Sequence, residues 1–356
     1  MSLKDEKFFV AGGAGFIGSN FIRYLLNKNP NFSILNYDKL TYSGNLENLQ
    51  DVKNHPRYQF VEGDIVNKTF LFKALDSFKP SYIINFAAET HVDRSIHIGA
   101  ESFIQTNIWG PFNFLEYLKN HKVEKYLQVS TDEVYGSLEL DSRNRFTETT
   151  AFAPHIPYSA TKAGGDLLCG AYFSTWEVPV VVTHCSNNYG PFQYPEKLIP
   201  FFIVRAMEGE TLPLYGDGRH VRDWIYVLDH CEALTLCLFN GRAGEVYNIG
   251  ADNEKNNLEI ANAILKYFNN NKSKTEFVAE RPGHDRRYSI DSSKIRNELG
   301  WKPKASFEKA FKETIEWYLG NPNWVDAIRK KTGVFNPHIE LWGGHDLNQK
   351  KTETKQ

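Results

Sequence analysis

"KFFVAGGAGFIGSN" (residues 7–20) decides the fold. Its first five residues read as a buried strand, and "FIGSN" opens a helix. Between them Gly13, Gly15 and Gly18 satisfy GxGxxG, and Gly12, Gly15 and Gly18 satisfy GxxGxxG. Glycine permits the tight turn and lets backbone N–H groups approach a pyrophosphate, where the helix N-terminus adds favourable partial charge. The next β-rich run ends in Asp38, 20 residues beyond Gly18. A carboxylate there accepts both ribose hydroxyls and repels a 2′-phosphate, so NAD is expected rather than NADP.

Outward from this turn, strands and helices alternate. "KFFVAGG" (7–13), "FSILNYD" (32–38), "YQFVEGDI" (58–65), "YIINFAAE" (82–89), "KYLQVST" (125–131) and "VPVVVTHCS" (178–186) read as strands. Helical stretches are expected at 15–28, 68–79 and 100–120. This alternation predicts an α/β protein: a Rossmann-type, doubly wound parallel sheet. After residue 190 Pro and Gly punctuate the chain, and helices are expected at 227–240, 257–270 and 306–320. The expected organisation is an NAD-binding domain at 1–190, a smaller mixed substrate-binding lobe at 191–330, and a C-terminal tail at 331–356. "GEVYNIG" (244–250) is a candidate strand to rejoin the main sheet, and "NQKKTETKQ" (348–356) reads as a frayed end.

Composition narrows the class. Of 356 residues, 41% are hydrophobic and 24% charged, and the net charge is -2. That is the profile of a soluble globular protein with no electrostatic call for nucleic acid or a membrane surface. No signal-peptide core and no membrane-spanning apolar stretch is read, so the cytoplasm is expected. Cys169, Cys185, Cys231 and Cys237 form no CxxC pair and have no histidine at zinc spacing, which predicts buried free thiols and no metal site.

Two further stretches carry chemistry. "PYSATKAGGDLL" (157–168) holds Tyr158 and Lys162 four residues apart, on one helix face. A nearby ammonium favours the phenolate, so Lys162 is expected to lower the pKa of Tyr158 and make it a base. "YLQVSTDEVYGS" (126–137) begins as an apolar strand and ends in two adjacent carboxylates, Asp132 and Glu133. Neighbours on an extended strand face opposite ways, so shared chemistry requires the strand to end at or before Asp132. Ligand sites of open sheets lie at the carboxyl ends of strands, where this pair stands. Two interacting carboxyls share their titration, and one keeps its proton to higher pH.

With "GGAGFIG", "NFAAETHVDRS", "STDEVYG", "YSATK", "SNNYGP" and "RDWIYVLDH", the chain resembles the extended short-chain dehydrogenase/reductase family over about residues 7–320. "YPEKLIP", "LPLYGDGRHVRDW" and "RPGHDRRYSID" make it similar to that family's nucleotide-sugar 4,6-dehydratases. The resemblance implies transient oxidation at C4 by tightly bound NAD, loss of water across C5 and C6, and return of hydride to C6. It implies catalytic roles for Thr131, Asp132, Glu133, Tyr158 and Lys162, with Asp132 the acid at C6 and Glu133 the base at C5. It assigns Gly12, Gly15, Phe16, Ile17, Asp38, Lys39, Ser43, Asp64, Ile65, Ala87, Ala88, Thr106 and Asn188, with Tyr158 and Lys162, to NAD. It assigns Thr90, Thr131, Asn187, Glu196, Lys197, Leu198, Pro213, Tyr215, Arg222, Asn257, Arg281 and His284 to a nucleotide sugar. Arginines at 222 and 281 also suit a diphosphate on physical grounds. Read alone, Asp64 fits a turn as well as an adenine site, and His91 and Asp93 fit capping or structural roles.

The substrate so implied is dTDP-glucose. Thr90 stands where serine is expected and Glu280 where aspartate is, and UDP- or GDP-linked sugars stay open. A 4-epimerase needs the tyrosine and NAD but no acid pair; an NAD-binding regulator needs neither tyrosine nor acids. A homodimer is implied by the resemblance, and "FIQTNIWGPFNFLEYL" (103–118) is more apolar than one helix stripe requires.

Overall fold

The computed structural model describes residues 5–29, 31–97, 99–269, 273–333 and 335. Six strands follow in chain order: β1 (Lys7–Ala11), β2 (Ser33–Asp38), β3 (Tyr58–Glu62), β4 (Tyr82–Asn85), β5 (Lys125–Thr131) and β6 (Val180–Cys185). They are the six strands expected, each with its predicted centre. The strand Val246–Ile249 joins them in parallel beside β6, so the late segment does return to the main sheet. From that edge the order is Val246–Ile249, β6, β5, β4, β1, β2, β3, every pair parallel. The chain winds outward through β2 and β3, then crosses back to place β4 on the other side of β1. The reversal between β1 and β4 is the switch point where such sheets bind ligands.

Side-chain alternation builds two cores. Phe8, Val10, Ile34, Ile84 and Leu127 point to one face of the sheet. Phe9, Ala11, Leu35, Ile83 and Tyr126 point to the other. Each apolar side chain so buried contributes about 1.5–3 kcal/mol, and this explains the nearly unbroken apolar strands. The exception is the edge strand β3, which is only partly buried.

The stretch 100–120 differs from the single α-helix expected. Helix Glu101–Ile104 passes through a π-helical turn, Gln105–Trp109, before α-helix resumes at Gly110–Leu118. The cause is local. The Asn107 side chain is committed to the Glu89 backbone on both sides and to the Thr161 hydroxyl, each at 3.0 Å. A Cβ on Gly165 would lie 2.5 Å from the Asn107 carbonyl oxygen, so the two helices meet backbone to backbone here.

The second half holds strands too short for the sequence pattern to declare. Val221–Tyr226 pairs antiparallel with Glu254–Asn256 and parallel with Asn187–Tyr189. Leu212–Tyr215 pairs with Thr275–Val278. Helices Leu198–Glu208, Asn257–Phe268 and Phe307–Gly320 close a third core around Phe202, Ile203, Ile264 and Ile315. A further helix, Pro322–Thr332, runs past residue 331. The expected frayed end 348–356, and residue 270 of the expected helix 257–270, lie outside the described residues. Among the described residues no helix is long and apolar enough to cross a membrane.

Candidate active site

The Gly-rich turn forms the floor of a cleft. Gly12 has φ +74°, and a Cβ there would stand 2.5 Å from the Ala87 nitrogen, inside the β4 connection. The helix Phe16–Lys28 begins at Gly15 without a side-chain cap or an acidic residue in its first turn. Its first N–H groups are therefore available to an anion. Asp38 closes the end of the cleft where adenosine is expected. Its carboxylate accepts from the Ala14 N–H at 2.9 Å and the Leu40 N–H at 2.8 Å, which fixes it beside the turn. Gly12, Gly15, Asp38, Lys39, Ser43, Asp64, Ile65, Ala87, Ala88 and Thr106 line one cavity. Asp64 fits the turn reading, since one oxygen accepts from the Val66 N–H; the other pairs with Lys39 at 2.7 Å. The Asp38 carboxylate at this end repels a 2′-phosphate, which fits NAD.

Phe16, Ile17, Thr90, Thr131, Asp132, Glu133, Tyr158, Lys162 and Asn188 line the middle of the cleft, which shares Gly12, Gly15, Ser43 and Ala88 with the adenosine end. The helix Pro157–Trp176 starts with proline in its first turn, placing Tyr158 and Lys162 on the wall of the cleft. The Lys162 ammonium donates to the Val129 carbonyl at 2.8 Å. Here the expected pKa effect is corrected. Burial pushes the Tyr158 phenol well above its ordinary value, the Glu133 carboxylate pushes the same way, and the hydrogen bond with Thr131 only partly offsets them. Burial likewise pulls the Lys162 pKa down. In the protein alone, burial and the nearby acids favour the neutral phenol.

The acid pair meets the geometric requirement. β5 ends at Thr131, and Asp132–Tyr135 form a 3₁₀ turn capped by the Thr131 hydroxyl, which accepts from the Glu133 N–H at 3.3 Å. The turn breaks the strand alternation, so both acids line the same cavity. Asp132 is buried and Glu133 half-buried. Burial raises the Asp132 pKa well above the carboxylate range, and the Glu133 and Asp223 charges add to it. Burial also raises Glu133, but the Lys197, Arg222 and Arg281 cations oppose the shift. The environment separates the pair into a proton holder and a more readily ionised neighbour.

Beyond Glu133 the cleft widens. Pro213, Tyr215, Arg222, Asn257, Arg281 and His284 line this outer part, which shares Glu133, Asn187, Glu196, Lys197 and Leu198 with the middle. Arg222 donates to the Val221 and Asp285 carbonyls and lies 4.2 Å over the Tyr288 ring, held but not neutralised. Among the described residues, the buried Asp132 Oδ2, Asn187 Oδ1, Asn257 Oδ1 and Arg281 Nε have no hydrogen-bond partner in the protein. The three oxygens suit the hydroxyl or N–H donors of a polar ligand, and the Arg281 N–H suits an anionic group on it.

Every residue expected at the site lines this continuous cleft. Asp93, read as capping or structural, is satisfied within the outer wall: it accepts from Tyr215 at 3.2 Å and pairs with Arg281 at 3.3 Å. Others were not singled out. Tyr42 donates to Glu196 at 3.1 Å, and burial raises Glu196 to about 7. His220 and His284 stack with ring centres 3.6 Å apart, and Glu280 reaches both. Arg286 stands 3.2 Å from His220 Nε2, and burial pulls the pKa of both histidines down, so the group is a hydrogen-bonded cluster of neutral imidazoles with Glu280. The late motif "RPGHDRR" was the available signal, but the Glu280–His220 pairing joins distant segments.

Comparison with known proteins gives a consistent set of relatives. The family described as GDP-mannose 4,6 dehydratase matches residues 9–314. The chain is 46% identical to dTDP-glucose 4,6-dehydratase of Shigella flexneri, over 94% of this chain and 98% of that protein. It is similar to the structure of dTDP-glucose 4,6-dehydratase from Bacillus anthracis in complex with NAD, with TM-score 0.84 and 47% identity, covering 91% of this chain and 99% of that one. The Streptomyces venezuelae enzyme of the same name, also solved with NAD bound, has TM-score 0.86 and 44% identity, covering 90% and 99%.

Proposed function

The chain belongs to the GDP-mannose 4,6 dehydratase family and, within it, to the dTDP-glucose 4,6-dehydratases, and we propose that it converts dTDP-glucose into dTDP-4-keto-6-deoxy-glucose and water. The observation that carries this reading is the acid pair Asp132–Glu133, turned by the end of β5 into the same cleft as Tyr158 and the Gly-rich turn. A 4-epimerase has no use for that pair, and a non-catalytic NAD binder has no use for the tyrosine either.

Bound NAD+ supplies the hydride acceptor that takes hydrogen from C4 and returns it to C6. The chain handles the protons. As the phenolate, the form that the Lys162 ammonium one helical turn away and bound NAD+ would favour, Tyr158 takes the proton of the C4 hydroxyl, with Thr131 hydrogen-bonded to it. The C4 ketone acidifies C5, and Glu133 removes that proton and gives one back to C5 when hydride reaches C6. Asp132, which burial keeps protonated, gives its proton to the departing C6 hydroxyl, and water leaves across C5–C6. Arg222 and Arg281 offset the diphosphate charge, and Asn187, Lys197 and Asn257 orient the sugar nucleotide. Thr90, Glu196, Leu198, Pro213, Tyr215 and His284 complete that wall.

Residues 1–190, with the returning strand, serve as the NAD-binding unit, and 191–330 mainly as the substrate lobe. The protein works as a homodimer in the cytoplasm. Ile104, Trp109, Leu167 and Trp176 are exposed large apolar side chains on the helices Glu101–Leu118 and Pro157–Trp176, and a second copy would cover them. The test of the reaction is Glu133→Gln. It is expected to lower dehydratase turnover by roughly 10²–10⁴-fold while reduced nicotinamide still forms on mixing with dTDP-glucose. Full turnover by this variant would remove Glu133 from the mechanism.

A further inference from the structure

Behind the catalytic wall lies a buried polar cluster that the reaction above does not use. Asp166 sits one helical turn beyond Lys162 on the helix Pro157–Trp176. Its Oδ2 accepts from the Ser130 hydroxyl at 2.5 Å and lies 3.2 Å from His184 Nε2. The other ring nitrogen of His184 meets the Tyr135 hydroxyl at 2.6 Å, and Tyr135 also donates to Asn248 at 2.9 Å. Asp166, Ser130, His184, Tyr135 and Asn248 are all buried. Asp166 Oδ1 has no hydrogen-bond partner among the described residues.

The position of Ser130 gives the cluster its meaning. Ser130 is the link between Val129, whose carbonyl holds the Lys162 ammonium, and Thr131, which is hydrogen-bonded to Tyr158. Asp166 therefore grips the one residue of β5 that separates the two backbone points holding the catalytic pair. It also places a carboxylate behind a buried ammonium whose hydrogen bond among the described residues is to a neutral carbonyl. A buried cation so placed loses its proton readily unless an opposite charge is near.

We propose that Asp166 is a positioning residue for the oxidation at C4, holding the end of β5 through Ser130 and stabilising the charge of Lys162. The proposal rests on the reaction assigned above. The charged and titratable groups around Lys162 are Asp166 and Cys169 on its own helix and Cys185 on β6, with Asp166 the strongest influence favouring the ammonium. His184 and Tyr135 face Asp166 from β6 and from the turn after β5.

The sign follows directly. Without the Asp166 carboxylate, Lys162 gives up its proton at lower pH. The alkaline limb of the kcat–pH profile for Asp166→Asn should move to lower pH. The value of kcat should fall roughly tenfold to a hundredfold, with KM for dTDP-glucose little changed. Ser130→Ala, which keeps the charge and removes the grip, should lower kcat without moving the limb, and Asp166→Glu should restore the limb. Wild-type turnover in the same assay reports on the reaction itself. A double-mutant cycle of urea stability between Asp166→Asn and Lys162→Met reads the coupling without any turnover. Non-additive changes, with Asp166→Asn costing less beside Lys162→Met, support the proposal. An unmoved alkaline limb in Asp166→Asn, or an additive cycle, overturns it.

Discussion

At the residue scale the site depends on charges kept in unfavourable places. Asp132 is the clearest case. Its pKa in the folded protein is raised by burial and by Glu133, so its charged form is disfavoured by folding. A carboxyl raised in this way weakens stability as pH climbs from its unfolded value, about 3.9, through its folded value, because the unfolded chain ionises first. Asp132→Asn should therefore unfold a few degrees higher than wild type at neutral pH, with the gap closing toward pH 3, while elimination is lost. Thermal melts across that range measure it. Glu196 behaves as a second sensor. It holds a proton below about 7, and its ionisation adds a negative charge where an anionic substrate must lie. KM for dTDP-glucose should rise as pH passes through 7, and Glu196→Gln should flatten the rise; a steep rise in the variant would assign the effect elsewhere.

The sequence made the chemistry legible where neighbours in the chain share it. Asp132 and Glu133 are adjacent, Tyr158 and Lys162 are one turn apart, and the glycines all fall within residues 12–18. It failed where burial decides: local spacing promised a tyrosine acidified by lysine, whereas desolvation and Glu133 hold the proton on Tyr158. Asp93 was hidden for a related reason, because its partners Tyr215 and Arg281 lie 122 and 188 residues away.

At the scale of elements, two devices shape the cleft. The first is the 3₁₀ turn after β5, which brings two consecutive acids to one side. Its existence follows from the requirement for shared chemistry, and its cap, Thr131, is itself a site residue. The second is the π-helical turn at Gln105–Trp109, which no hydrophobic period announces, since one extra residue per turn leaves composition unchanged. It presents Thr106 to the adenosine end while Asn107 ties to Glu89 and Thr161. Gly165 permits the close approach. Gly165→Ala forces a Cβ onto the Asn107 carbonyl and should cost about 1–3 kcal/mol, with weaker NAD binding by fluorescence titration. Gly320→Ala, where a Cβ meets nothing within 4 Å, should be neutral or slightly stabilising. Equal melting temperatures for the two variants would contradict this account of the helix contact.

At the scale of the molecule, the parallel sheet was legible because burial on both faces writes near-continuous apolar strands, and the Gly-rich turn fixes which strand comes first. The small sheets of the second half were not, because polar residues such as Asn187, Arg222, Asp223 and Glu254 interrupt their apolar pattern and their pairing spans long separations. Their arrangement matters because it carries Arg222, Tyr215 and Asn187 to the outer cleft. Exposed Leu167 and Trp109 predict that Leu167→Asp lowers the sedimentation coefficient from dimer to monomer; an unchanged value would place any interface elsewhere.

The central claim is that one cleft carries hydride from C4 to C6 while Asp132 and Glu133 remove water. The direct measurement is mass spectrometry of dTDP-glucose labelled with deuterium at C4, incubated with the purified protein and no added NAD. The account predicts a product lighter by one water that keeps the deuterium, now at C6. A product of unchanged mass, or a dehydrated product that has lost the label to solvent, would contradict it.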